Sequence, residues 1–405
     1  MSHPGFAAIL KKIETEKEKF DAISKEVWRN PELRFEERHA HNLLADALEQ
    51  EGFKVQRHYI LPTAFRAEYP PDRSSERQVQ VAVLCEYDAL PAIGHACGHN
   101  LIAESSLAAG FAIKAALETD PSIKGKVIVI GSPAEEGGGG KIFQIEGGVF
   151  NDIDVALMAH PSPTDHLFPP FIAIKRLTVD YKGKAAHASG YPWEGINALD
   201  AVVACYNSLA FLRQQIKPTN RIHAIITKGG VIEGIIPEEA QMKIVFRAAN
   251  LEDLKSLQEK VIACIFAAAT STGCEVMYNI NERSYEHLLT NKELANTYKK
   301  HAEAMGVVFQ DGDHRIIPFM ASTDMGNVSH IVPSIHPTFS INTSAPNHSK
   351  AFTEAAGATA AQTPTLNAAK ALALTGLEVL QSTELLNAVK RQFEEDIIAE
   401  NIGSS

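Results

Sequence analysis

Cysteine is scarce in this 405-residue chain: five residues, Cys85, Cys97, Cys205, Cys264 and Cys274, odd in number and without paired spacing. That argues against a disulfide frame and for a reducing compartment. Cys85, Cys205, Cys264 and Cys274 sit in apolar runs and read as inert core thiols. Long apolar runs are also missing, so no stretch reaches the roughly 20 residues of a membrane-spanning helix. The start, MSHPGFAAILKKIETEKEKF, lacks the continuous apolar core of a secretory signal, and the closing ENIGSS carries no retention or peroxisomal address. A cytoplasmic protein without membrane contact is expected. Positive charge is short too: 38 Lys and Arg against 49 Asp and Glu give a formal charge of −11. With no basic stripe visible, a nucleic-acid partner is not expected. No Walker-type phosphate loop and no internal repeat is present.

What is there is ordinary globular material, 45% apolar and 21% charged, in a chain long enough for two domains. Apolar residues at helical spacing predict helices over residues 6–30 and 36–52, the first stopped by Pro31. Strands are predicted at 54–59, 63–69, 79–84, 126–131 and 155–159, with helices at 101–117 and 142–146 between them. Strands alternating with helices imply a mostly parallel, doubly wound α/β sheet. Beyond Pro169-Pro170 the order becomes strand 172–181, helix 196–215, strands 221–228 and 241–247, helix 251–270, strand 275–281. That is βαββαβ, a ferredoxin-like arrangement. A helix at 291–305, a strand at 338–341 and a final helical region at 365–399 complete the chain. The expected organisation is a discontinuous domain, 1–170 and 285–405, interrupted by an inserted α+β domain, 171–284.

The chemistry concentrates at the carboxyl ends of the predicted strands, where open α/β sheets bind their ligands. After strand 79–84 comes CEYDALPAIGHACGHN, carrying Glu86, Asp88, His95, Cys97 and His99 within fifteen residues. The Cys97-Gly98-His99 step is too tight for a zinc finger but suits neighbours that reach the same or adjacent ions. After strand 126–131 comes SPAEEGGGGK. Of the adjacent acids Glu135 and Glu136, one can bind a cation while the other stays available as a base; a cation also relieves their mutual repulsion. Two acids would repel phosphate, so the glycines do not read as a phosphate cradle. His160, in MAHP, and His348, in NHS, follow two further strands. Cys97, His99, Glu136, His160 and His348 thus form an N, S and O donor set suited to one or two zinc, manganese or cobalt ions.

Three other residues carry two readings each. Asp88 either holds a ligand imidazole in one tautomer or simply shapes the turn before Pro91. His187, in GKAAHASG, either donates to a developing oxyanion or is a surface loop histidine. Arg247 either forks onto a substrate carboxylate or pairs with an acid on the sheet.

Taken together, EYDALP…GHACGHN, PAEEGGGG, MAHP, KAAHAS with PWEGINALDA, and NHS resemble the co-catalytic metallopeptidases that group carboxypeptidase G, aminoacylase, carnosinase and hippurate hydrolase. PWEGINALDA, LRQQIKPT, GGVIEGIIP and ASTDMGNVSHIVP are most similar to the branch cleaving β-alanyl-lysine or dipeptides that end in arginine. The resemblance implies hydrolysis of a dipeptide amide bond. It places Cys97, His99, Glu136, His160 and His348 at the metal positions and Glu135 at the general base. Asp88 falls at the aspartate of the family's H-x-D turn, whose histidine, a ligand in many relatives, is Glu86 here. His187 falls at a histidine that enters a neighbouring subunit's site, which implies a homodimer through the inserted domain. Two competing expectations are an N-acyl-amino-acid amidohydrolase and a non-catalytic metal-binding scaffold; the pairing of Glu135 with the full donor set speaks against the scaffold.

Overall fold

The computed structural model describes residues 4–71, 77–281, 283–311 and 321–403, so Met1–His3, Ser404 and Ser405 of the termini read above lie outside the described residues. In chain order the elements are α1 (Pro4–Arg29), α2 (Arg38–Gln50), β1 (Lys54–Arg57), β2 (Phe65–Tyr69), β3 (Val79–Glu86), α3 (His99–Thr119), β4 (Gly125–Ser132), α4 (Gly140–Glu146), β5 (Val155–Leu157) and β6 (His160–Ser162). Next come β7 (Ala173–Lys182), α5 (Ala198–Leu212), β8 (Arg221–Lys228), β9 (Glu239–Ala248), α6 (Leu251–Thr272) and β10 (Glu275–Ile280). The chain closes with α7 (Lys292–Ala304), α8 (Met325–Ser329), β11 (Ser334–Ile335), β12 (Thr338–Ser340), α9 (Lys350–Ala356), α10 (Gln362–Gln381) and α11 (Thr383–Gly403). Among the described residues, contacts divide the chain into two units: 4–170 with 288–311 and 323–398, and 171–287 with 321–322 and 399–403.

The first unit is built on a six-stranded sheet ordered β1-β2-β4-β3-β5-β11. Strands β4, β3, β5 and β11 run parallel, and β2 and β1 join antiparallel at one edge. Alternate residues of the parallel strands enter opposite cores. Val81, Val83, Val127, Val129, Val155 and Leu157 join the core that includes α1, α3 and α10. Ala82, Leu84, Ile128, Ile130 and Ala156 pack on the other side with Val149, Phe150, Met325 and Val328. A sheet covered on both faces needs such unbroken apolar strands, which is why β3 and β4 read so clearly from sequence.

The second unit is a four-stranded antiparallel sheet, β10-β7-β9-β8. Leu177, Val179 and Tyr181 of β7 and Met242, Ile244 and Phe246 of β9 share a core with α5 and α6. The βαββαβ order and the mixed α/β class agree with the expectation.

One local expectation is corrected and another refined. The strand predicted to run to Ala159 ends at Leu157. His160 then begins a separate short strand that pairs parallel with β12 in a two-stranded sheet. The final helical region is two helices, α10 and α11, parted at Ser382 (φ −116°, ψ 102°), whose hydroxyl accepts the Leu385 N–H at 3.1 Å. That hydroxyl competes with the helical ladder and restarts it as a cap.

One buried acid makes stability depend on pH. Glu104 of α3 is wholly buried, with one oxygen accepting Gln362 Nε2 at 3.1 Å. Burial pushes its pKa from an ordinary 4.5 up to about 8. The folded state therefore holds this proton more tightly than the unfolded state. Its contribution is full below pH 4.5 and declines as pH rises to about 8, by at most about 1.4 kcal/mol per pH unit. Glu104→Gln is expected to flatten that decline in denaturant unfolding across the same window; a parent-like slope would show that Glu104 is ionised in the fold.

Candidate active site

The site is assembled at the carboxyl ends of β3, β4 and β5 by the loops that leave them. The β3 loop turns into α3 at Gly98, which has φ +77°, and a Cβ there would stand 2.6 Å from Pro161 Cγ. Glycine is thus required both by the backbone and by the close approach, and it sets Cys97 and His99 on either side of the turn. Cys97 Sγ lies 3.4 Å from His160 Nε2, while the His160 Nδ1–H donates to the Pro161 carbonyl at 2.7 Å. That bond leaves His160 Nε2 as the lone-pair nitrogen turned to the thiol.

Asp88 does two jobs at once. Its Oδ1 accepts His99 Nδ1–H at 3.0 Å, and its Oδ2 accepts the Glu136 N–H at 2.9 Å. The first bond fixes the His99 tautomer, so Nε2 faces the cavity, 3.5 Å from Glu86 Oε2 and 3.9 Å from Glu135 Oε2. Both roles go beyond a turn-forming aspartate.

The β4 loop is bent sharply. Ala134 adopts φ +60°, and its N–H donates to Glu37 Oε1 at 2.9 Å. Glu37, from the residue before α2, also accepts the Phe35 N–H at 2.8 Å and Thr63 Oγ1 at 2.8 Å. The loop then returns on itself: a Cβ at Gly140 would stand 1.7 Å from the Pro133 carbonyl oxygen. Glu136 Oε1 lies 3.4 Å from His348 Nε2. His348 has φ +65°, and its N–H donates to the Ala96 carbonyl at 2.8 Å, so the late loop is tied to the Cys97 loop.

Three groups hold donor atoms within 4.8 Å of one another: Cys97, His99 and His160; Cys97, Glu136 and His348; His99, Glu135 and Glu136. The groups overlap through Cys97, His99 and Glu136, a layout that accommodates one ion or two adjacent ones. Buried His99 Nε2 and Glu136 Oε1 make no hydrogen bond among the described residues. Such orphaned atoms beside a thiol and imidazoles are what a divalent cation would satisfy. The electrostatics agree. Burial, then Glu136, Glu86 and Asp324, pushes the Glu135 carboxyl well up. Burial and Glu136 likewise push the Cys97 thiol up. Burial opposes charge on His99, but Asp88 and Cys97 hold its pKa well above the usual range. The cavity carries an excess of negative charge, and a cation corrects it.

His187 and Arg247 belong to the second unit. His187 is exposed, and its Nδ1 accepts the Ser189 N–H at 3.3 Å and the Gly190 N–H at 3.2 Å. Its proton therefore sits on Nε2, as a donor would require. Arg247 is half-buried on β9 and donates to Ser322 Oγ at 2.9 Å. Sequence reading missed Glu37, Lys141 and Asp324. Each acts through a contact more than 90 positions away along the chain, Ala134 for Glu37 and Asp324 for Lys141, and no local pattern marks such a partner.

Residues 173–271, within the second unit, match the peptidase dimerisation domain family. The chain is 47% identical to the Xaa-Arg dipeptidase of Mus musculus over 95% of this chain and 90% of that protein. It is 46% identical to the Xaa-Arg dipeptidase of Homo sapiens over 93% of this chain and 89% of that one. A dinuclear metal-binding peptidase of the M20 family from Bacillus subtilis superposes with a TM-score of 0.67 at 19% identity, covering 89% of this chain and 99% of that structure.

Proposed function

This chain belongs to the M20 peptidase family, and on that footing we propose that it is a metal-dependent dipeptidase whose substrates end in a basic residue, β-alanyl-lysine or Xaa-Arg. The observation that carries this reading is the overlap of three donor groups with Glu135 at their margin, in a chain alike to Xaa-Arg dipeptidases along 95% of its length. Cys97, His99, Glu136, His160 and His348 would hold zinc or manganese, one or two ions per chain. The thiol and imidazoles favour zinc. A bound divalent ion supplies Lewis acidity, lowering the pKa of water and polarising the scissile carbonyl.

The chain's own residues do the rest. Glu135 takes a proton from the attacking water and passes it to the leaving amine, a single carboxylate serving as base and then acid. Asp88 keeps His99 in the tautomer that presents Nε2. His187, with its proton on Nε2, serves as donor to the developing oxyanion, and Arg247 holds the substrate carboxylate. A homodimer formed through residues 171–284 is supported by the dimerisation-domain match. The unpaired cysteines favour the cytoplasm, and no helix among the described residues is long and apolar enough to cross a membrane.

A hydrolysis panel tests the proposal. The metal-loaded protein is expected to show its highest kcat/KM on β-alanyl-lysine and on dipeptides ending in arginine or lysine. Higher values on acetyl or benzoyl amino acids would make it an N-acyl-amino-acid amidohydrolase. A blank panel with metal bound would leave a binding scaffold.

A further inference from the structure

Beneath the donor cluster lies a buried charged triad that the proposed mechanism leaves unused. Lys141 of α4 is wholly buried, and its Nζ donates to Glu86 Oε1 at the end of β3 and to Asp324 Oδ1 at 2.6 Å. Asp324 Oδ2 also accepts the Lys141 N–H at 3.0 Å. Asp324 and Glu86 are themselves wholly buried.

Burying a lysine demands a partner, and Asp324 is one, gripping both the ammonium and the backbone of the same residue. Glu86 is then surplus to that need. It adds a second negative charge to a buried cavity that already holds Asp88, Glu135 and Glu136. Only one of its oxygens is used by the triad. The other, Oε2, is buried without a hydrogen-bond partner among the described residues and lies 3.5 Å from His99 Nε2, which is equally unpartnered. When His99 is the neutral imidazole that a metal ligand must be, with its one proton on Nδ1 toward Asp88, its Nε2 lone pair and Glu86 Oε2 are both acceptors and cannot satisfy one another. Both are satisfied by a cation between or beside them.

We infer that Glu86 is a further member of the ion-binding set, its Oε2 directed at the position that His99 Nε2 addresses. Lys141 and Asp324 form the clamp that holds Oε1 and so fixes where Oε2 points. The inference rests on the proposed metal site. It adds an oxygen donor to that site and gives Lys141 a positioning role, not a ligand's.

The test is zinc retention by the loaded, full-length protein equilibrated against graded chelator, read as zinc per chain, alongside melting of each variant. Glu86→Gln keeps the shape and leaves Lys141 neutralised by Asp324. It is expected to melt like the parent yet bind zinc roughly 10–100-fold more weakly, the scale for groups that orient or support ligands. Asp324→Asn loosens the clamp but leaves the Glu86 carboxylate and its Lys141 partner in place, so it is expected to weaken zinc binding by clearly less than Glu86→Gln does. Equal losses in both variants would reduce the triad to a structural support and overturn the inference. Parent-like affinity in Glu86→Gln would overturn it as well. Should that variant not fold, Glu86→Asp keeps the charge and withdraws the oxygen by one methylene, with the same loss expected. A parent that binds no zinc, or a His99→Ala protein that binds it undiminished, would instead sink the metal site itself.

Discussion

Glu135→Gln is expected to fold and to keep its metal while losing roughly 10²–10⁴-fold or more in kcat on a basic dipeptide, the scale of a positioned proton-transfer group. The two donor groups that contain Cys97, with His99 and His160 or with Glu136 and His348, do not include Glu135, so an amide in its place leaves them complete. What the amide cannot do is accept a proton and return it. Glu135 is well placed for that work: buried, 3.9 Å from His99 Nε2, and carried on a loop bent through Ala134 and tied down by Glu37. Burial and its acidic neighbours push its carboxyl above the ordinary range in the metal-free cavity, and a bound cation would return it toward the carboxylate that a base must be. The check is steady-state kinetics and metal content on one preparation. Substantial hydrolysis with metal bound would move the base elsewhere.

Removing the ion should cost more still. Protein stripped with chelator is expected to lose hydrolysis to background and to recover it on adding zinc or manganese. It should also melt at lower temperature, because a ligand present at about 1,000 times its Kd contributes about 4.1 kcal/mol to the folded state. The stripped cavity holds Glu86, Asp88, Glu135 and Glu136 close together with one buried lysine to offset them. Their repulsion adds to the loss. Thermal scans and activity assays with and without metal test both halves. A stripped protein that keeps its turnover and its melting temperature would show that the donors serve structure alone.

Much of this was legible beforehand because the chemistry sits where local pattern is strongest. The β3 and β4 strands are unbroken apolar runs that end abruptly in CEYDALP and SPAEE, so both the strand and the position of the site at its tip follow from one stretch. His160 and His348 were harder, since each is marked only by following a strand. The β6–β12 pair that brings those two regions side by side joins residues about 180 positions apart. Periodicity does not extend that far. Glu37, Lys141 and Asp324 left no local trace, because what makes each of them matter is a partner on a distant segment. The division of the last helical region at Ser382 was missed for the opposite reason: apolar residues continue at helical spacing on both sides, and a single hydroxyl decides the break.

Asp88 has one oxygen on the His99 ring and the other on the backbone of Glu136. Two donors from different loops are thereby geared to a single rigid side chain. A shift of either loop drags the other's donor with it, so the site is built to be whole or absent, with little room for a half-formed state that grips an ion loosely.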